Sequence, residues 1–110
     1  MRSILVLNPK GGCGKSTFAT NIAGYFATQG KRVSLADCDP QQSSRDWLSI
    51  RPESAATIKS ASVKAGKIDV PRRTEVLIID TPAALHGQKL ANYAKVSQTI
   101  IMQMMPSPMD

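Results

Sequence analysis

The segment Lys10-Gly11-Gly12-Cys13-Gly14-Lys15-Ser16-Thr17 decides how the chain folds. It follows a run of four apolar residues, 4–7, which is typical of a strand buried on both faces. The segment after it carries apolar side chains at helical spacing: Phe18, Ile22, Tyr25 and Phe26. This spacing predicts a helix over residues 15–29, which Gly30 ends. The first unit of the fold is therefore a strand, a glycine-rich loop and a helix.

Three further apolar runs predict buried parallel strands, over residues 33–36, 76–79 and 99–102. Because helical segments alternate with these strands, we expect an α/β fold with a parallel sheet flanked by helices. The chain stops after the last predicted strand, and no helix follows to cover it. We therefore expect residues 1–110 to be the N-terminal part of a single domain whose sheet is incomplete at the C-terminus. The alternative is a minimal domain that completes itself by oligomerising.

The remaining elements are predicted from weaker patterns. Two further helices are expected, over residues 43–50 and 85–96, the first begun by Ser43 or Ser44. Residues 55–60 suggest a minor strand, and residues near 61–67 a short helix.

The composition is that of a globular protein with a basic excess. Of 110 residues, 42% are hydrophobic, and no run of about 18 apolar residues could span a membrane. The net charge of +6 suggests a polyanionic partner, either a nucleotide or a nucleic acid. The densest basic stretch is residues 59–73, which contain one acid, Asp69, and five basic residues: Lys59, Lys64, Lys67, Arg72 and Arg73. Two interpretations of this stretch stay open, a solvated face or part of a polyanion-binding surface.

The loop over residues 10–17 has the chemistry of a phosphate-binding P-loop. Glycines let backbone N–H groups approach phosphate oxygens, and the following helix adds the positive end of its dipole. Lys15 is a point charge for the β- and γ-phosphates of a nucleotide, and the Ser16 hydroxyl is the expected Mg²⁺ ligand. The loop departs from the usual pattern because Pro9 stands where the first glycine is expected. The predicted cofactors are ATP or ADP and Mg²⁺.

Two acidic motifs end predicted strands. Asp37-Cys38-Asp39-Pro40-Gln41 follows the second strand, and Asp80-Thr81-Pro82 follows the run 76–79. Carboxylates at the carboxyl ends of parallel strands lie in the crevice where α/β proteins bind ligands. An apolar strand that ends in aspartate is typical of a Walker B strand, whose carboxylate holds Mg²⁺.

These motifs together resemble the ParA/MinD superfamily of P-loop ATPases, particularly the small ParA proteins of the ParF kind. The loop resembles the superfamily's deviant Walker A motif, in which Lys10 corresponds to the signature lysine that reaches the partner subunit's nucleotide. By this resemblance the nucleotide contacts are residues 10–17 and, beside the adenine, Pro106. Asp39 corresponds to the residue that positions the hydrolytic water, while Asp37 and Asp80 support the Mg²⁺ ion. The catalytic set it implies is Lys10, Lys15 and Asp39.

The resemblance implies an ATPase, weakly active until a partner stimulates it, that partitions plasmids or chromosomes or positions large cargo. It implies an ATP-bound homodimer on non-specific DNA, a small activating partner of the ParB or cargo-adaptor kind, and a cytoplasmic location on the nucleoid. Two alternatives stay open: a MinD-like ATPase on a membrane surface, and a nucleotide-dependent scaffold without significant hydrolysis. A reductase like the nitrogenase iron protein is disfavoured because Cys13 and Cys38 lie within the phosphate-site motifs.

Overall fold

The computed structural model describes residues 1–7, 15–38, 43–52, 54–64, 67–81, 87–95 and 97–102. Its helices are α1 (Lys15–Thr28), α2 (Ser43–Ser49) and α3 (Gly87–Lys95). Its strands are β1 (Arg2–Leu7), β2 (Val33–Asp37), β3 (Ile58–Lys64), β4 (Lys67–Asp69), β5 (Val76–Asp80) and β6 (Thr99–Met102). Within these ranges no helix is long and apolar enough to cross a membrane.

The strands form one sheet in the order β4-β3-β2-β5-β1-β6. Every neighbouring pair is parallel except β3 and β4, which form an antiparallel hairpin at one edge. The predicted α/β class and its four principal strands are therefore confirmed. Because β1, β2 and β5 are parallel neighbours, their carboxyl ends share one edge of the sheet and their amino ends share the opposite edge.

Each central strand contributes to two apolar layers, one on each face of the sheet. Ile4 and Val6 of β1 pack in the layer beneath α1, while Leu5 and Leu7 pack in the layer that contacts α3. The middle strand β5 is buried along its whole length. Burial on both faces explains why these strands are continuously apolar instead of alternating.

Helix α1 meets the sheet most closely through small residues, while the large side chains of Phe18, Ile22 and Phe26 pack partly buried against the same layer. Its most buried apolar side chains are Ala19, Ala23 and Ala27, which recur every four residues and allow close approach to the strands. Phe18 is only partly buried, and Tyr25 is 60% exposed. The helix was thus predicted in the correct place, but Tyr25 does not belong to its core-facing side.

The short helix predicted near residues 61–67 is wrong. Those residues continue strand β3 to Lys64 and then enter β4, which pairs back on β3 with Val63 opposite Ile68. Ala61 is buried and Val63 is partly buried, whereas the alternate positions Ser60 and Ser62 are exposed. This period of two is that of a strand with one face covered.

Candidate functional site

Two acidic residues lie side by side at the carboxyl edge of the sheet. Asp37, the last residue of β2, is in register with Asp80, the last residue of β5. Val6 of β1 is in register with Asp80 on its other side. Because Val76 and Ile78 face α1, the two-residue period of a strand places Asp80 on that same face. The parallel register puts Asp37 there as well.

Asp80 is fully buried, and helix α2 supplies it with a hydrogen-bond donor. The Ser44 hydroxyl donates to Asp80 Oδ2 over 2.5 Å, and both residues are 0% exposed. A hydrogen bond between a hydroxyl and a carboxyl oxygen at this distance is among the short hydrogen bonds of proteins. It offsets part of the cost of removing a carboxylate from water. The strand end is fixed as well, because the Cys38 N–H donates to the Asp80 carbonyl over 2.8 Å.

Contacts along α2 and just past its end hold the helix against the sheet where Ser44 reaches Asp80. Near its start lies Ser44 itself, and further along Leu48 packs against the layer beneath α1. Past its end, Arg51 lies 4.8 Å from the centroid of the Trp47 ring and donates two hydrogen bonds to the Ala56 carbonyl. From the sequence, Ser44 was expected only as a possible helix cap. The 36 residues that separate it from Asp80 gave no local signal of their contact.

The first turn of α1 brings further predicted residues to this edge. Strand β1 ends at Leu7, and Lys15, Ser16 and Thr17 are the first residues of α1. The predicted site residues 10–14, Asp39 and Pro106 lie outside the described residues. The structure therefore brings the helix start, Asp37 and Asp80 to one edge and leaves the rest of the predicted set as a prediction.

This arrangement fits a nucleotide with its metal ion. The N–H groups of a helix start favour a phosphate group. Mg²⁺ is usually held by one or two carboxylates together with phosphate oxygens and water. Asp37 and Asp80 could supply the carboxylates, with Asp80 fixed in place by Ser44.

On the opposite face of the sheet, Cys38 contacts helix α3. Its side chain forms a hydrogen bond with Tyr93, and both residues pack against the apolar layer beneath that helix. Partial burial and, second to it, this hydrogen bond raise the pKa of the Tyr93 phenol from 10.0 to about 12. The segment after β2 is thus attached to α3 as well as to β5.

This raised pKa predicts a loss of stability in alkali. Below pH 10 the phenol is neutral in both folded and unfolded chains, so its contribution to stability is fully present. Between pH 10 and about 12 the unfolded chain ionises first, and the contribution is lost. We expect the urea midpoint of the wild type to fall relative to that of Tyr93→Phe over this range. Parallel pH profiles of the two proteins would contradict the assignment.

Comparison with known families agrees with this geometry. Residues 4–103 match the family described as the CobQ/CobB/MinD/ParA nucleotide binding domain. The chain therefore belongs to this family of nucleotide-binding α/β domains.

Several curated proteins are similar to the chain. The maintenance of carboxysome distribution protein A of Gloeobacter kilaueensis is 33% identical over 113 residues, covering 99% of this chain and 51% of that protein. Its counterpart from Halothiobacillus neapolitanus is 30% identical, over 98% of this chain and 52% of its own length. The chromosome-partitioning ATPase Soj of Thermus thermophilus is 49% identical over 53 residues, 48% of this chain and 21% of Soj. The chain spans about half the length of the carboxysome proteins that it matches.

Proposed function

We propose that the whole protein binds ATP with Mg²⁺ at the carboxyl edge of the sheet and hydrolyses it to ADP and phosphate while positioning a large cargo. The observation that carries the proposal is Asp80, a fully buried carboxylate bound to Ser44, beside Asp37 and the start of α1. Membership of a nucleotide-binding family and similarity to a partitioning ATPase support it.

We assign the residues of the site as follows. The loop over residues 10–14 and the first turn of α1 bind the phosphates, with Lys15 as the point charge and Ser16 as a metal ligand. Asp37 and Asp80 support the metal shell, which supplies charge neutralisation when it is bound. Asp39 orients the water that attacks the γ-phosphate, and Pro106 lies beside the adenine.

The proposed cycle is dimeric. Lys10 of each subunit reaches the nucleotide of the other, so that ATP is the bridge of a two-fold homodimer. Two lysines as close in sequence as Lys10 and Lys15 would repel each other at one phosphate group unless their tasks were divided in this way. The dimer binds non-specific DNA through phosphate contacts, and a small partner protein stimulates hydrolysis and releases it. The location proposed on this basis is the cytoplasm, on the nucleoid.

The cargo is proposed from the relatives alone. Two of the similar proteins are named for carboxysome distribution and another for chromosome partitioning. We infer that the cargo is a replicon or a large protein assembly.

A titration of the whole protein with a fluorescent ATP analogue tests the nucleotide site. We expect saturable binding that Mg²⁺ strengthens and EDTA weakens, and sedimentation should show a dimer with ATP but a monomer with ADP. Phosphate release should be slow and should rise when DNA and the partner protein are added. Absence of nucleotide binding would overturn the proposal, and binding without any phosphate release would leave a nucleotide-dependent scaffold.

A further inference from the structure

A basic cavity of about 430 Å³ opens at the amino edge of the sheet, opposite the nucleotide site. The cationic residues that line it come from three segments that precede β2, begin β3 and precede β5: Lys31, Arg32, Lys59, Arg72 and Arg73. The basic stretch noted in the sequence is thus divided by the fold. Lys64 ends β3 and pairs with Lys67 at the start of β4, whereas Lys59, Arg72 and Arg73 meet residues from another part of the chain.

A second cavity of about 430 Å³ continues this surface past β1. It shares Arg32 and Arg73 with the first cavity and adds Arg2. Together the two cavities collect six of the chain's 14 lysines and arginines. Among the described residues that line them, Glu75 is the one acid. We call the two adjoining cavities the amino-edge surface.

Arg32 is held in place while remaining accessible. Its Nε donates to the Arg73 carbonyl over 2.6 Å, and its Nη1 lies 3.7 Å from Glu75 Oε1. The Arg32 side chain is nevertheless 64% exposed. Hydrogen bonding from the Arg32 backbone, followed by attraction to the Arg32 and Lys31 charges, lowers the pKa of Glu75. The carboxylate therefore stays charged at neutral pH and keeps the guanidinium oriented.

The turn before β5 is also built rigidly. Ser34 donates to Thr74 Oγ1 over 2.7 Å, because the Thr74 hydroxyl itself donates to the Pro71 carbonyl over 2.6 Å. Arg73 within this turn has φ of 66°, a left-handed conformation that glycine adopts without strain. A residue with a long cationic side chain thus occupies a position that favours glycine, and a strained backbone is often found at binding sites.

From these observations we infer that the amino-edge surface binds the phosphate backbone of nucleic acid. Guanidinium groups pair with phosphate oxygens through two parallel hydrogen bonds, and four of the six cations are arginines: Arg2, Arg32, Arg72 and Arg73. Two cavities that share residues suit successive phosphates better than one isolated anion. The inference rests on the proposed function in one respect, which is that the nucleic acid is taken to be DNA.

This surface is distinct from the nucleotide site. The strand β5 runs five residues from Val76, beside the second cavity, to Asp80. That is about 13 Å at the usual rise of a strand. One bound ATP at the P-loop therefore does not occupy the amino-edge surface, and the two activities can be tested separately.

The test is the double variant Arg72→Gln and Arg73→Gly in the whole protein. Glycine suits the φ of residue 73 and keeps the carbonyl that Arg32 binds, so the fold is preserved while two charges are lost. The matched control is Lys64→Gln with Lys67→Gln, which removes the same charge from the paired ends of β3 and β4. Binding to a mixed-sequence DNA duplex is measured by anisotropy against salt, with ATP and Mg²⁺ present, alongside the ATP-analogue titration.

We expect the arginine variant to bind DNA at least about tenfold more weakly near 0.1 M salt, with a salt slope lower by about two for each subunit that contacts the DNA. ATP binding should be unchanged. Equal weakening in the lysine control, or no change in the arginine variant, would overturn the inference and leave the proposed function intact. A wild type that binds ATP but no DNA would overturn both the inference and the DNA-binding part of the proposal. Binding to phosphatidylserine vesicles is measured on the same proteins. If the arginine variant lost vesicle binding that the wild type shows, while its DNA binding stayed unchanged, the ligand of the amino-edge surface would be a membrane surface instead of nucleic acid.

Discussion

Replacing Lys15 with alanine should abolish ATP binding by the whole protein. Lys15 begins α1 at the carboxyl edge, where the N–H groups of the first turn remain in the variant. Those groups supply partial charges, whereas in the proposed site the ammonium supplies a full charge to the β- and γ-phosphates. Removing one partner of a hydrogen-bonded charge pair that a bound ligand shields from water costs about 4 kcal/mol, or roughly a thousandfold in Kd.

The matched control for this variant is Lys95→Ala, which removes the same charge from the exposed end of α3. Titration with the ATP analogue should give near wild-type affinity for the control and no saturation for Lys15→Ala at accessible concentrations. Circular dichroism should show both variants folded. Wild-type affinity in Lys15→Ala would remove the basis for a P-loop at this position.

The parts of the fold that could be predicted from sequence are those with a strong local signal. Continuous apolar runs marked β1, β2, β5 and β6 because burial on both faces removes polar side chains from a strand. The position of the glycine-rich segment predicted that α1 begins at residue 15, and the helix starts at Lys15. The family that these motifs resembled is the family to which the chain belongs.

The parts that were missed depend on contacts between distant segments. A minor strand was predicted over residues 55–60, and it is the second half of β3, beyond residue 60, that was missed. That half continues the pairing with β2 through Ala61 and Ala36, which are small and carry little strand preference of their own. The same holds for the site, since Asp80 was predicted from its strand but its donor Ser44 was not. The amino-edge surface joins Arg32 to Arg73, 41 residues apart, and no local pattern of charge shows that pairing.

Replacing Asp80 with asparagine should abolish the effect of Mg²⁺ on ATP binding and lower turnover by about 100-fold. Asparagine has nearly the shape of aspartate and keeps an oxygen that can accept the Ser44 hydroxyl, so the packing at this position is preserved. The change removes the negative charge, which is what a hard cation needs from its ligand shell. Losing one such carboxylate in or near a metal shell typically costs 10–100-fold in metal affinity or activity.

The Ser44→Ala variant separates this role from a structural one. It removes a buried donor to Asp80 and keeps the charge, so we expect it to cost about 1–3 kcal/mol of unfolding free energy. Its Mg²⁺ dependence should remain, because the carboxylate is still present. If Asp80 served only to bind Ser44, the order would reverse: Asp80→Asn would hydrolyse ATP like the wild type, and Ser44→Ala would be the more impaired enzyme. Urea unfolding and ATP-analogue titrations at several Mg²⁺ concentrations, performed on both variants, distinguish the two outcomes. A metal role requires the charge at residue 80, and a purely structural role requires only the hydrogen bond.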